Sequence, residues 1–262
     1  MKRHLFSATL LAGLTAVSFA AQAQEAVPMP KTQYVIDLGV GAIAKPRYDG
    51  ADSYLIAPFP IISVGRFYLP GLGQVADGEQ RAGIFFYPAF GFVGKRSASD
   101  SAWLTGTRKI DWALELGAGG GFRTEHLRVF AELRQGINGH TGQVGEIGAD
   151  AIVRPMDRIE VSFGPRAGFA SSEYMDTYFS VSAAEAAAGP LTQYKAGGGF
   201  KSVGLEARVS YDWTDHVRLH LRGGYDRLIG DAADSPIVKA GSKDQFSVGA
   251  GISYRFAFDL FD

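Results

Sequence analysis

The sequence predicts an all-β fold: a transmembrane antiparallel up-and-down β-barrel of about twelve strands, with ten as the alternative. Three observations predict it. Segments along the chain alternate apolar with small or polar residues at period two, so one face of each strand is greasy and the other is not. After the N-terminus no stretch approaches the roughly 18 apolar residues of a spanning helix, which excludes a helical membrane protein but not a barrel. Connections between segments alternate short and long, as barrels have short turns at one end and long loops at the other. The mean hydropathy of +0.00 fits alternating strands. So do 34 glycines and 12% aromatics, which suit a crowded interior and interfacial girdles.

Residues 1–23 read as an export signal. Lys2, Arg3 and His4 are basic, Leu5 to Ala20 is apolar and uncharged, and Ala21-Gln22-Ala23 is a small-x-small cleavage site. Residues 24–32 hold two prolines and no pattern, and are expected to be a periplasmic tail. The barrel is then expected over 33–262.

In the first strand Tyr34, Ile36, Leu38, Val40 and Ala42 share a face. Pro46 to Gly50 is a loop. Tyr54 to Val64 carries Pro58 and Pro60, which cannot donate to a ladder, so this strand is expected to be irregular or to lie at a weak seam. Phe67 to Val75 and Arg81 to Gly94 follow, with Asp77-Gly78 between them as a turn.

The second half alternates more regularly. Trp112 to Phe122, Leu127 to Arg134, Ile159 to Phe169, Val203 to Asp212 and Val217 to Asp226 each set most of their charge on one face, and Val144 to Val153 is weaker. That makes eleven candidate segments. A single-chain outer-membrane barrel has an even number, so the stretch from Tyr54 to Gly94 is where the count is expected to change. Residues 123–126, 155–157 and 213–215 are short connections; 136–143, 171–200 and 229–243 are long. Ser182 to Ala188 is expected to form a turn or two of helix.

The charged face supplies the candidate lumen residues: Glu115, Arg128, Arg134, Glu160, Arg166, Glu206, Arg208, Arg218, Arg222, Asp226 and Arg255. Two readings stay open. They line a pore, or they pair across strands and plug the barrel, the outcome favoured at this size.

No constellation of nucleophile, base and orienter is evident, so no enzyme, catalytic residue, cofactor or metal is expected. His216 and His220 have helical metal spacing, but on a strand they lie about 13 Å apart. Cysteine is absent, which excludes thiol metal sites and disulfides. A net charge of -1 without a basic block excludes the footprint of nucleic-acid binding. The runs Gly117 to Gly121 and Gly197 to Gly199 lack the Lys-Ser/Thr end of a phosphate loop and read as close packing. In Asp231-Ala-Ala-Asp234-Ser235-Pro236 the acids suggest a cation, but Ser235-Pro236 after Gly230 reads better as a turn.

The last strand places Phe246, Val248, Ala250, Ile252, Tyr254 and Phe256 on one face. Its Gly251-x-x-Tyr254-x-Phe256 spacing resembles the C-terminal signal read by the bacterial barrel-assembly machinery, an expected partner. That signal usually ends a chain, whereas Ala257 to Asp262 follow here. Phe258 and Leu260 keep the alternation, so the strand is expected to run on.

Three further strings, together with the Tyr254-Arg255-Phe256 strand end, resemble the MltA-interacting protein (MipA/OmpV) family: Tyr225 to Val238, Tyr194 to Phe200, and Pro46 to Gly50. The resemblance implies a Gram-negative outer-membrane protein in contact with lipid and lipopolysaccharide. It also implies a non-enzymatic scaffold that joins a lytic transglycosylase to a penicillin-binding murein synthase. A small-solute channel and an outer-surface adhesin are the alternatives.

Overall fold

The computed structural model describes residues 33–69, 73–77 and 82–260. The expected export signal and tail lie outside them.

Eleven strands form one antiparallel sheet in the order β3-β2-β1-β11-β10-β9-β8-β7-β6-β5-β4. They are β1 (Tyr34–Pro46), β2 (Tyr54–Leu69), β3 (Gly73–Asp77), β4 (Gly83–Val93), β5 (Ala113–Arg123), β6 (Leu127–Asn138), β7 (Gln143–Met156), β8 (Ile159–Ala170), β9 (Gly199–Asp212), β10 (Val217–Leu228) and β11 (Asp244–Phe258). β11 pairs with β1 from Tyr34↔Phe258 to Ala44↔Val248, which brings the first and last described strands together. The last strand does run past Phe256.

The expected count of twelve is not observed among the described residues. The two segments anticipated at Tyr54 to Val64 and Phe67 to Val75 become one long strand, β2, and the five-residue β3. The remaining ten strands have 11 to 16 residues. Direction explains why ten is the meaningful number. β3 and β4 run the same way, so they are unsuited to close an antiparallel ring, whereas β2 and β4 run oppositely. β3 pairs with β2 only over Arg66 to Leu69. Pro58 and Pro60 sit above that stretch, two residues apart, so their missing N–H groups fall on the same edge of β2. Pro88 occupies the other edge strand, β4.

The sheet's outer face is apolar and exposed. Val40, Ile56, Ile84, Phe86 and Leu205 are each at least 59% exposed, more apolar surface than a water-soluble monomer leaves contiguous. Aromatic residues gather at both ends of this face. Phe92 stacks on Trp112 at one end, and at the other His216 stacks on Tyr254, whose ring meets Phe256 at a tilt. This is the apolar band with two girdles of an outer-membrane barrel.

The inner face is crowded, and glycine makes room. A methyl at Gly119 would collide with the Tyr87 ring, and one at Gly117 with the Leu133 carbonyl on β6. Gly117→Val is therefore expected to destabilise the sheet by roughly 1–3 kcal/mol. A lower temperature for conversion of the compact, heat-modifiable band in SDS electrophoresis checks this, with Gly94→Val as control, since a side chain there meets open space.

Candidate functional site

Two regions bring polar and functional groups together: the inner face of the sheet, and the loop end of the barrel.

On the inner face, charged side chains meet across neighbouring strands. Arg134 Nε donates to Glu115 Oε2 at 2.9 Å, and Arg134 also pairs with Glu132. Arg128 Nε donates to Asp150 at 2.9 Å, and Arg166 Nη2 donates to the other oxygen of Asp150 at 2.6 Å. Both guanidiniums lie about 5 Å from the Phe130 ring, one at 5.2 Å and one at 5.0 Å. Arg166 continues toward Glu146 at 3.4 Å and Glu206 at 3.7 Å. Glu206 also takes Arg208 and, at 2.7 Å, Arg222. Nearer the end that holds the first and last described residues, Arg218 pairs with Asp212, Arg255 with Asp37, and Glu160 with Arg123 and Arg154. Asp226 stands over Gly204.

The candidate lumen residues left out acids that complete this lattice: Asp37, Glu132 and Asp212, which share the polar strand faces, and Glu146 and Asp150 on β7. Asp150 is fully buried. The β7 segment looked weak because its two acids sit among glycine and alanine. Their spacing of four residues on one strand face was the available signal.

The loop end is a folded cap. Five connections meet there: 47–53, 94–112, 139–142, 171–198 and 229–243. They carry two short 3-10 turns and the helices α1 (Ser172–Phe179), α2 (Ala183–Ala188), α3 (Gly230–Asp234) and α4 (Pro236–Lys239). α2 falls where helix was expected; α1, α3 and α4 were not anticipated. The most deeply buried large side chains of the described residues are here, Phe179, Leu104, Met175, Ile237, Val181 and Val238.

The three family-like strings converge in this cap. Ser235 has no exposed surface. Its Oγ donates to the Phe179 carbonyl at 2.7 Å and accepts from the Ile237 N–H at 3.2 Å, capping α4 with Pro236 in the first turn. Asp231 Oδ2 accepts from the Gly197 N–H at 2.6 Å, and Tyr194 OH donates to the Asp231 carbonyl at 2.9 Å. Asp49 accepts from Lys201 Nζ at 2.8 Å and Tyr174 OH at 3.3 Å. Gly50, at φ +94, lies beside Val238. Asp231 is thus occupied by backbone, and Asp234 is an exposed partner of Lys239 at 3.5 Å. No cluster that would hold a metal ion occurs among the described residues.

Cap and lattice touch at His140. Its Nε2 lies 3.3 Å from Glu115, while its ring packs edge-on against Tyr174 and Tyr178. Burial pushes both tyrosines above their ordinary pKa, keeping them neutral beside Asp49. Burial also pushes the Arg96 guanidinium down to about 10, where it remains charged and donates to the Tyr178 carbonyl at 2.5 Å.

At the last strand Gly251 leaves room for Ile61, while Tyr254 and Phe256 stay half-exposed on the outer face.

Residues 38–256 match the family model described as MltA-interacting protein MipA. Outer membrane protein OmpV of Vibrio cholerae is 39% identical over 88 residues, 34% of this chain and 33% of that protein, so the alignment spans about a third of the relative. Among solved structures, an outer membrane channel from Pseudomonas putida F1 has a TM-score of 0.45 at 12% identity, covering 91% of this chain and 100% of that one. The N-terminal barrel domain of Pseudomonas aeruginosa OprF has a TM-score of 0.29 at 12% identity, covering 68% and 98%.

Two predictions follow from the cap. Ser235→Val leaves the Phe179 carbonyl without its donor, and is expected to loosen the cap by roughly 1–3 kcal/mol. Tryptic cleavage after Lys195 and Lys239 then accelerates while the barrel stays heat-modifiable. The second concerns pH. Burial favours the neutral form of Asp49, but Lys201 and Tyr174 outweigh it and hold the carboxyl below its ordinary value. Burial acts likewise on Glu185, opposed by the Arg108 and Ser182 N–H groups and the Ser182 hydroxyl. With folded values depressed, this stability is complete above the ordinary carboxylate range and is lost as pH falls through the depressed values. Hydrogen exchange in α1 and α2 is expected to rise below about pH 4, and Glu185→Gln to flatten that dependence.

Proposed function

The chain belongs to the MltA-interacting protein MipA family, and on that premise we propose that it is a non-enzymatic scaffold of the cell envelope. It is a Gram-negative outer-membrane barrel protein. In the proposed role it holds a lytic transglycosylase and a penicillin-binding murein synthase together, so that cutting and synthesis of murein proceed side by side.

The observation that carries this reading is the cap. Four of the five connections at the loop end pack into two buried clusters, His140 of the fifth packs on Tyr174 and Tyr178, and most of the inner-face charges below them pair with one another. Such a barrel is built to be closed on its outer side rather than to conduct. The docking face is then the opposite end. There the turns at 124–126, 157–158 and 213–216 lie at the same end as the first and last described residues, where the Gln33 N–H meets Asp259. Trp213 and Met156 are exposed at that end, large apolar groups of the kind that anchor a protein contact.

A photo-crosslinking residue at position 213 or 156 is expected to capture both murein enzymes in growing cells, several-fold above the same residue at Trp103 in the outer cap. Equal yields at the three positions defeat the scaffold reading. In a planar bilayer the inserted protein is expected to give no discrete conductance steps. Steps that Arg218→Ala and Arg222→Ala alter would establish a channel instead.

A further inference from the structure

A groove of about 480 Å³ opens on the cap, within the size range of small-ligand sites. Every residue that lines it comes from one of three cap connections, 94–112, 171–198 or 229–243, and none belongs to a strand. The groove therefore lies outside the hydrocarbon span of the barrel, and its occupant comes from water rather than from the bilayer.

Two aromatic residues line it, and both are fixed. Trp103 is 52% exposed, although tryptophan is usually well covered. Its neighbour Leu104 is fully buried and anchors the 3-10 turn that carries the indole, and the Ser101 hydroxyl accepts from the Trp103 N–H at 3.3 Å. The backbone of Tyr194 pairs with Val181 in both directions, and its OH is held on the Asp231 carbonyl. Pro236, also in the lining, is locked into the first turn of α4. Surfaces held in this way pay little ordering cost on binding.

Polar groups border the apolar surface, a combination that marks a ligand groove. Asp234 and Lys239 both line it, 3.5 Å apart. Each is more than half exposed, so their pairing contributes little and both remain available to a ligand. Together they offer an acceptor and a donor with no net charge. An anion would gain from Lys239 but meet Asp234, and a cation the reverse. A hydroxyl both donates and accepts, so it suits the pair. The flat face of Trp103 suits the C–H face of a pyranose ring, whose edge carries the hydroxyls.

We propose that this groove binds a neutral disaccharide unit of an external glycan, with one ring stacked on Trp103 and its hydroxyls bonded to Asp234 and Lys239. The site is independent of the scaffold role, whose contacts lie at the opposite end of the barrel.

Isothermal titration calorimetry of the full refolded chain tests the groove, in a polyoxyethylene detergent so that no sugar head group competes. The probes are maltose, cellobiose, lactose and mannobiose, with sialyllactose, spermidine and a decaproline peptide for comparison. One-to-one binding of at least one neutral disaccharide is expected. Trp103→Ala is expected to weaken it about tenfold, Trp103→Phe to restore part of the loss, and the Asp234→Ala, Lys239→Ala double variant to weaken it while the indole is kept. All these side chains are exposed, and the heat-modifiable band checks that each variant is folded. The proposal is overturned if none of the four disaccharides binds, if sialyllactose, spermidine or the peptide binds more tightly than they do, or if folded Trp103→Ala binds like the parent.

Discussion

A strand in hydrocarbon has nowhere to place its N–H and C=O groups except on another strand. The rest of this structure depends on that constraint. It joins the first described strand to the last, so that β1 lies between β2 and β11. It makes strand direction decisive, which is why the short β3 is an appendage to β2 and the ten long strands form the wall. It also dictates where proline is tolerated. Pro58, Pro60 and Pro88 lie on β2 and β4, the long strands nearest the two ends of the described sheet, where a missing donor costs least.

The same constraint moves the core. In a water-soluble domain the apolar faces of the sheet would be buried; here lipid covers them, and the deepest side chains belong to the loops. Phe179, Leu104 and Met175 are buried in the cap, whereas Asp150 holds the comparable place in the barrel. Hydrophobic burial thus stabilises the loop end. Ionic pairing with mutual hydrogen bonds fills the interior, where an acid without its arginines would carry the full cost of desolvation. Asp150 meets that requirement with two guanidiniums, and Glu206 with three. His140 transmits between the two regimes, with Glu115 on one side and two tyrosine rings on the other.

How much was legible in the sequence follows from which strands have two unlike faces. β5, β6 and β8 to β11 set apolar residues against charge, so their period was visible. β2 and β4 are apolar on both faces, so the period disappeared between Tyr54 and Gly94, and the sequence left the count between twelve and ten there. β7 hid its acids among small residues. In the cap, Tyr174, Met175, Tyr178 and Phe179 have the spacing of one helix face, but a segment of eight residues inside a long loop gives too short a signal to stand out. Ser235 and Asp231 were conspicuous as a string without revealing their partners, because Phe179 and Gly197 are distant in sequence.

These features make the molecule asymmetric along two directions. Across the membrane, one end carries a folded cap and the other offers short turns and the first and last described residues. Around the barrel, one sector is apolar through its whole thickness, and the rest is charged within. A folded cap over a densely paired, charged interior would be a poor arrangement for passive flow between the two sides of the membrane. It suits the proposed role, in which contacts are made at the turn end of the barrel.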